Sequence, residues 1–562
     1  MLGRPGPGAV GRGGSMRGCS KTVTVAAALM IVLGGARWAC SCTNILVSRG
    51  ASADGSAMIA YVADSHDFYG ELSFTPAADH RSGEMRDIIE WDTGTYLGQI
   101  PQVPHTYQVV GNMNEHQVAV GETTFGGRKE LEGPSGLIDY GSLMFLALER
   151  ARTAREAIQV MTGLAEKYGY ASEGESFSVS DPNDVWILEM IGKGKGETGA
   201  LWVARRLPDG TICAHANQAR IRAFPLHDPQ SCLYSDDVIG FARAKGWYRG
   251  SDEDFSFADV YAPLNFGAVR FCESRVWSVF RRAAPSLGLG VEYADGYHPD
   301  KRLPLWVKPD HKLSVADVMA LMRDHFEGTE LDMTKDVGAG PFGCPYRWRP
   351  LTWKVDGVRY VNERAISTQQ TGFSFVAQSR SSLPDPVGGI LWFGVDDTYS
   401  TVYSPMYCGI ERVPHSYADG VASLHEFSWD SAFWVFNWVA NFAYSRYSDM
   451  IVDIQKVQGE LEGGFFARQP EIEKAALELY GQAPQLARDY LTHYSVEQGQ
   501  RVVDRWRRLG QQLLVKYMDG NVKDEHGKVT HPPYPPSWYR RIAGERGRDL
   551  RVKPWKTGED DE

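Results

Sequence analysis

Apolar and polar positions fall into short runs through the first half of the chain and then recur at helical spacing in the second. Cys42 to Val47 and Ile59 to Ala63 are aliphatic and β-branched runs, separated by the polar stretch Arg49 to Ser56 with Asp54-Gly55 at its centre. That pattern predicts a β-hairpin. Tyr107 to Gly111 and Gln117 to Gly121 bracket Asn112 to His116 in the same fashion. Between Asp139 and Tyr168 the residues Leu143, Leu146, Ala147, Ala154, Ile158, Met161 and Leu164 predict a long helix. Strands are expected next over Ser176 to Ser180, Val185 to Ile191, Leu201 to Arg205 and Thr211 to His215, with turns at Asp181 to Asp184 and Asp209-Gly210. Ser314, with Asp317 three positions on, marks a later helix start. Strands are expected again near Thr371 to Val376 and Gly389 to Val395.

Beyond Trp429 the pattern turns helical through Met518, and from Gly520 it becomes Pro-rich and charged, as in a surface-hugging or mobile tail. The expected class is therefore α+β, an antiparallel sheet covered by helices. Four spans follow: a leader over 1–41, a main domain over 42–428, a helical region over 429–519 and a tail over 520–562.

The leader is read from its own pattern. Arg17 and Lys21 precede an apolar run from Val23 to Leu33. That run is too short for a ~30 Å hydrocarbon core, which needs about 20 residues, and suits a signal-peptide core instead. Ala39-Cys40-Ser41 places small residues where signal peptidase wants them and would leave Cys42 first; a cut after Ala36 is the competing site. A lipoprotein signal at Cys40 fits less well, because Arg37 and Trp38 stand where small or aliphatic residues are expected. The mature chain is expected to be secreted or periplasmic, with no membrane span left.

Composition changes the picture little. Apolar residues make up 43% and charged residues 23%, ordinary values for a globular protein. The net charge of -11 and the lack of a long basic stripe argue against a nucleic-acid partner. None of the 14 histidines lies in an H-E-x-x-H motif and no C-x-x-C pair occurs, so neither a zinc protease nor a zinc ribbon is supported. The run GKGKGETG from Gly192 lacks the spacing of a phosphate loop and reads as a hairpin loop. Trp434, Trp438 and Phe442 read as a buried helix stripe, His66 as solvent-facing, and the arginines from Arg540 to Arg551 as a solvated tail.

Cys42 is the candidate for chemistry. A strand beginning at this residue, once the leader is gone, sets a free α-amine beside its own thiol. That amine has an unperturbed pKa of ~7.7–8.0 and can accept the thiol proton near neutral pH. While the leader is attached the nitrogen is an amide and cannot act as base.

The stretch CTNILVSRGASADGSAMIAYVADSH (Cys42 to His66) resembles the opening of mature N-terminal-nucleophile hydrolases. It is most similar to the cysteine dipeptidase family that includes dipeptidase A and the secernins. NMNEHQVAVGETTFGGR (Asn112 to Arg128), AHANQARI (Ala214 to Ile221) and YAPLNFGAVRFCESRVW (Tyr261 to Trp277) resemble further blocks, in family order. The resemblance implies an αββα sandwich, two stacked antiparallel sheets between helix layers, with no metal or organic cofactor. The substrates it implies are dipeptides, or small amides as in related branches.

It also implies roles. Cys42 is the nucleophile, Asp64 orients its amine and thiol, Asn217 binds the amine or the oxyanion, Arg270 holds Asp64 ionised, and Thr124 stands at the oxyanion hole. Arg275 is close enough to Arg270 to confuse the alignment. The chain departs from the pattern at Tyr61, where relatives commonly carry an arginine, and this puts substrate preference in doubt. Three competing readings stand beside the dipeptidase: an acylase of non-peptide amides, a catalytically silent binding protein of the same fold, and a papain-like protease. The last lacks a nominated base histidine. A homo-oligomer is compatible with the sequence.

Overall fold

The computed structural model describes residues 42–65, 67–131, 136–348 and 351–552. The expected leader, His66 and the end of the expected tail lie outside the described residues. In chain order the strands that build the site are β1 (Thr43–Val47), β2 (Ala57–Asp64), β3 (Ala119–Gly126), β4 (Gly174–Ser180), β5 (Val185–Gly192), β6 (Ala200–Arg206), β7 (Ile212–His215), β8 (Thr371–Ser379), β9 (Ile390–Val395) and β10 (Ser404–Tyr407). The helices that cover them are α1 (Tyr140–Leu148), α2 (Ala154–Tyr168), α3 (Ser274–Ala283), α4 (Val315–Met322), α5 (Ala432–Tyr444), α6 (Tyr447–Gln482) and α7 (Pro484–Tyr517).

Two large sheets result, and every strand pair in them is antiparallel. The first has seven strands, in the order Trp306–Val307, β7, β1, β2, β8, β9, β10. The second has eight, in the order Cys232–Tyr234, β6, β5, β4, β3, Met113–Asn114, Val109–Val110, Phe74–Thr75. Alternation along β5 shows how the layers form. Val185, Ile187 and Ile191 join the core shared with the first sheet, while Trp186, Leu188 and Met190 join a separate core with α1 and α2. Successive side chains of a strand point to opposite faces, so one strand feeds two cores. On the first sheet, α3 packs on β7 and α4 on β2 and β8, while α5 and the long hairpin of α6 and α7 cover β9 and β10.

The fold is mixed α and β, and the chain pattern differs from it in instructive places. The long helix expected over 139–168 is two helices. Asp139 caps α1 by accepting from the Ser142 N–H at 3.2 Å, and Thr153 caps α2 by accepting from the Glu156 N–H at 3.2 Å. Both caps satisfy a first-turn N–H that has no intrahelical partner, so each ends one element and starts another. Ser314 and Asp317 do form a reciprocal capping box at the start of α4. The segment expected as a plain turn at 112–116 contains the short strand Met113–Asn114, paired with Val109–Val110 and with Ala119 of β3. The GKGKGETG run is the loop between β5 and β6, whose ends pair as Gly192 with Ala200. Trp434, Trp438 and Phe442 are only partly buried; the buried line of α5 runs through Phe433, Phe436, Val439 and Ala443. The segment expected as a tail carries a two-stranded pair, Val522–Lys523 with Val529–Thr530, and a helix over Pro536–Leu550.

Candidate active site

Cys42 sits immediately before β1, the strand flanked by β7 and β2 near the middle of the first sheet, and it is fully buried. Asn44, two residues on, lies opposite Tyr61 of β2 and His215 of β7. In the orientation its partners require, the Asn44 amide oxygen accepts from Ser178 Oγ at 2.9 Å and from the Glu122 N–H at 3.1 Å. This side chain therefore ties β1 to β3 and β4. Gly121 permits the close approach: a Cβ there would lie 3.1 Å from Tyr61 Cβ.

The thiol faces carboxyls on this side. Cys42 Sγ lies 3.6 Å from Glu122 Oε1 and 3.6 Å from the Tyr61 hydroxyl, which itself donates to Glu122 Oε1. Burial is the main cause that lifts the Glu122 carboxyl to about 7, against the Tyr61 and Glu175 hydrogen bonds, which pull it down. Glu175, on the neighbouring strand β4, is pushed well above the carboxylate range by burial and by Glu122. His215, held between Thr123 Oγ1 at 2.7 Å and Ser178 Oγ at 2.8 Å, is pushed down to about 3 by burial and stays neutral.

On the other side stand guanidiniums. Arg275 of α3 is buried, and its five N–H donors meet five acceptors. Nε donates to Phe271 O at 2.8 Å, Nη1 to Cys42 O at 2.5 Å and Thr43 Oγ1 at 2.7 Å, and Nη2 to Ala216 O at 3.2 Å and Asn217 Oδ1 at 2.8 Å. None of these five acceptors carries a charge, and Asp64 acts on the guanidinium through space. Its field falls on Asp64 and Cys42, while burial and then the neighbouring Arg364 pull the guanidinium down to about 10.

Asn217 follows β7 in a left-handed conformation, with φ of 60°, an uncommon state for a residue other than glycine. Its amide nitrogen donates to Thr124 O at 2.7 Å while its oxygen accepts from Arg275, so the carboxamide is fixed at both ends. The Thr124 hydroxyl bonds Glu175. Thr124 thus holds two site residues through its carbonyl and its hydroxyl.

Asp64 closes β2, fully buried. Arg364 Nη2 donates to its Oδ2 at 2.6 Å and Thr371 Oγ1 to its Oδ1 at 2.6 Å. Burial raises this carboxyl, and Arg364, Thr371 and Arg275 oppose the rise. Arg270, expected beside Asp64, is elsewhere: it pairs with Glu363 Oε1 at 2.5 Å and donates to Asp295 O at 3.1 Å. It lies in the π-helical turn Ala268–Glu273 that precedes α3, and Arg275 lies in α3 itself. The two side chains therefore reach different partners, Arg270 meeting Glu363 and Arg275 meeting Cys42, Thr43 and Asn217. The structure brings Cys42, Asp64, Asn217 and Thr124 together with Arg275 and leaves Arg270 outside.

A cleft of about 840 Å³ opens beside Tyr61, between Phe373 and Phe393 on one wall and Trp91 and Phe145 on another. Its lining is rich in carboxylates, including Asp67, Glu71, Glu84, Asp87, Glu90 and Asp419, against Arg86 and His80. Burial raises both Glu71 and Asp419, and Asp419 also acts on Glu71.

Among the described residues no group of three His, Cys, Asp or Glu side chains could hold a metal ion, and no helix is long and apolar enough to cross a membrane. The sequence profile of peptidase family C69 matches residues 74–460. The chain belongs to peptidase family C69. It is accordingly a hydrolase of peptide bonds. The C69 match begins after Cys42, Tyr61 and Asp64 and takes in Glu122, Asn217, Arg275 and Arg364. The chain is 25% identical over 442 residues to a "Probable dipeptidase" of Latilactobacillus sakei, covering 75% of this chain and 85% of that one. It is 26% identical over 387 residues to a "Probable dipeptidase" of Salmonella dublin, covering 66% and 82%. To a "Probable dipeptidase A" of Streptococcus pyogenes serotype M3 it is 26% identical over 440 residues, covering 74% and 85%.

Three residues of this C69 site escape a reading of the sequence alone: Glu122, Glu175 and Arg364. For two of them a signal exists. Glu122 in AVGETTFG and Glu175 in GESFSVS are charged residues inside strands with mostly buried positions. A carboxyl is rarely placed there without a partner. Arg364 comes from an irregular segment before β8 and offers no such signal.

Proposed function

We propose that this chain is an exported cysteine dipeptidase with the four-layer αββα arrangement of the N-terminal-nucleophile hydrolases. Cys42 is its nucleophile, and the Cys42 α-amine, freed when the leader is removed, is its base. The observation that carries this reading is the position of Cys42. It heads a central strand, its carbonyl is gripped by Arg275, and its thiol lies within the field of that guanidinium.

In this scheme the amine takes the thiol proton and the sulfur adds to the scissile carbonyl. The oxyanion forms on the Arg275–Asn217 side, where positive charge is already in place. The ammonium then protonates the leaving amine, and water hydrolyses the thioester. Asp64, held between Arg364 and Thr371, orients the first turn of chemistry from the end of β2, and Thr124 holds Asn217 in place.

The acidic lining of the cleft favours a dipeptide with a free ammonium end over an N-acyl amide, and three relatives are named "Probable dipeptidase" or "Probable dipeptidase A". The test is intact mass of the active protein with and without iodoacetamide, followed by a panel of free dipeptides and their N-acetylated forms. Expected results are a chain that begins at Cys42, one labelled thiol at that residue and preference for free dipeptides. An active protein that begins elsewhere refutes the scheme, and preference for the acetylated forms selects the acylase reading.

A further inference from the structure

The mechanism above uses the guanidinium side of Cys42 and leaves the carboxyl side without a task. We propose that Glu122 is a second proton acceptor for the Cys42 thiol, held in that role by Tyr61 and by a proton shared with Glu175. The inference rests on Cys42 as nucleophile and adds a residue to its proton handling.

Three observations carry it. First, the thiol and the Tyr61 hydroxyl both address the same oxygen, Glu122 Oε1. Second, Glu122 and Glu175 are both almost fully buried, yet among the described residues Oε2 of each meets no hydrogen-bond donor. A buried carboxylate oxygen left without a donor forfeits its hydration with nothing in return. The two carboxyls interact with each other, and one proton between them answers both orphans. That leaves a single negative charge, centred on Glu122, where two further donors point. Third, the charge balance fits. The largest influences on the pair beyond burial come from Cys42, Tyr61, Thr124 and Asp92, and among the described residues no salt bridge locks Glu122 as an inert ion pair. With its carboxyl near 7, Glu122 is matched to accept a proton at neutral pH.

The step balances. The S–H bond of Cys42 breaks as an O–H bond forms at Glu122 Oε1, and the sulfur lone pair makes the bond to the carbonyl carbon. When the tetrahedral adduct collapses, the C–N bond breaks and the proton passes from Glu122 to the leaving nitrogen. In deacylation water gives its proton to Glu122, and the departing sulfur takes it back. Glu122 serves where the α-amine is already protonated, below its ~7.7–8.0, and the amine serves above.

The experiment is the pH profile of kcat/KM for a dipeptide, with the pH dependence of Cys42 alkylation, in Glu122→Gln and Tyr61→Phe. Glu122→Gln is expected to lose about five- to tenfold at pH 6.5 and less than about threefold at pH 9, because only the amine remains as base. Its alkylation at neutral pH is expected to slow. Tyr61→Phe removes a donor that favours the carboxylate, so the acid limb is expected to move to higher pH. It also decides the matter if Glu122→Gln does not fold. Profiles that superimpose on the parent, or faster alkylation in Glu122→Gln, overturn the proposal, since a merely repulsive carboxylate raises the thiol's pKa and its removal frees thiolate. Cys42→Ala separates the two readings: if it is inactive while Glu122→Gln is unaltered, only the relay fails, and if it is active, the nucleophile itself is wrong.

Discussion

The two flanks of Cys42 solve opposite electrostatic problems. On one flank, Arg275 and Arg364 surround a single buried carboxylate, Asp64, and Arg275 spends all five donors on neutral acceptors. On the other, Glu122 and Glu175 stand together with a tyrosine hydroxyl, and among the described residues neither forms a salt bridge. The first flank is fixed in charge, because arginine stays protonated, and it suits the holding of a thiolate or oxyanion. The second is variable in charge, because burial has lifted a carboxyl into the working pH range, and it suits the movement of a proton. The difference is one of ionisation range more than of polarity.

The comparison is open to attack at its centre first. Cys42→Ala is expected to abolish hydrolysis while the thermal transition stays within a few degrees of the parent, measured by calorimetry beside the dipeptide assay. On the fixed flank, Asp64→Asn strands two buried guanidiniums without their anion and is expected to cost about 3–5 kcal/mol in denaturant unfolding. Arg275→Lys keeps a charge but offers three donors in place of a planar fork of five. The expected loss is about 10²-fold in kcat/KM with Cys42 still present and folded.

The variable flank is expected to show in the pH dependence of stability. The Glu122 carboxyl is higher in the folded protein than in the unfolded chain, so the folded state binds the extra proton between pH ~4.3 and about 7. Its contribution to stability is present below the unfolded pKa and is lost as pH rises through about 7. Glu122→Gln is expected to flatten that part of the curve, read as Tm against pH. The smallest effect is expected from Arg270→Gln. It breaks the pair with Glu363 and lowers Tm, but leaves the hydrolysis profile unaltered because Arg270 touches neither flank.

How much of this was legible beforehand depends on the physical source of each feature. The hairpin of β1 and β2 was written in local alternation, and so was the start of α4 in its capping box. The break between α1 and α2 was not, because apolar spacing continues across it and only the cap at Thr153 marks the interruption. Cys42, Asp64, Asn217 and Thr124 came from resemblance between blocks, and the fold brings them together. Arg270 and Arg275 are both plausible on the same grounds. Choosing between them requires knowing which way α3 faces and that a π-turn precedes it, both properties of tertiary packing. The carboxyl flank was invisible as a site, since Glu122 and Glu175 are far apart in the chain and meet only because β3 and β4 are neighbours. Tyr61 stood out only as a departure from the expected arginine; its hydroxyl on Glu122 shows what occupies that place instead.

Gly121 gives the spacing of the sheets a chemical meaning. With Tyr61 Cβ only 3.1 Å from where a methyl group would stand, even alanine there acts as a wedge that lifts β2 from β3. A few tenths of an ångström of separation stretches the reach from the thiol to Glu122 while leaving Arg275, anchored from the opposite layer, where it is. The absent side chain thus behaves as a gauge block: it sets the gap across which the proton must hop.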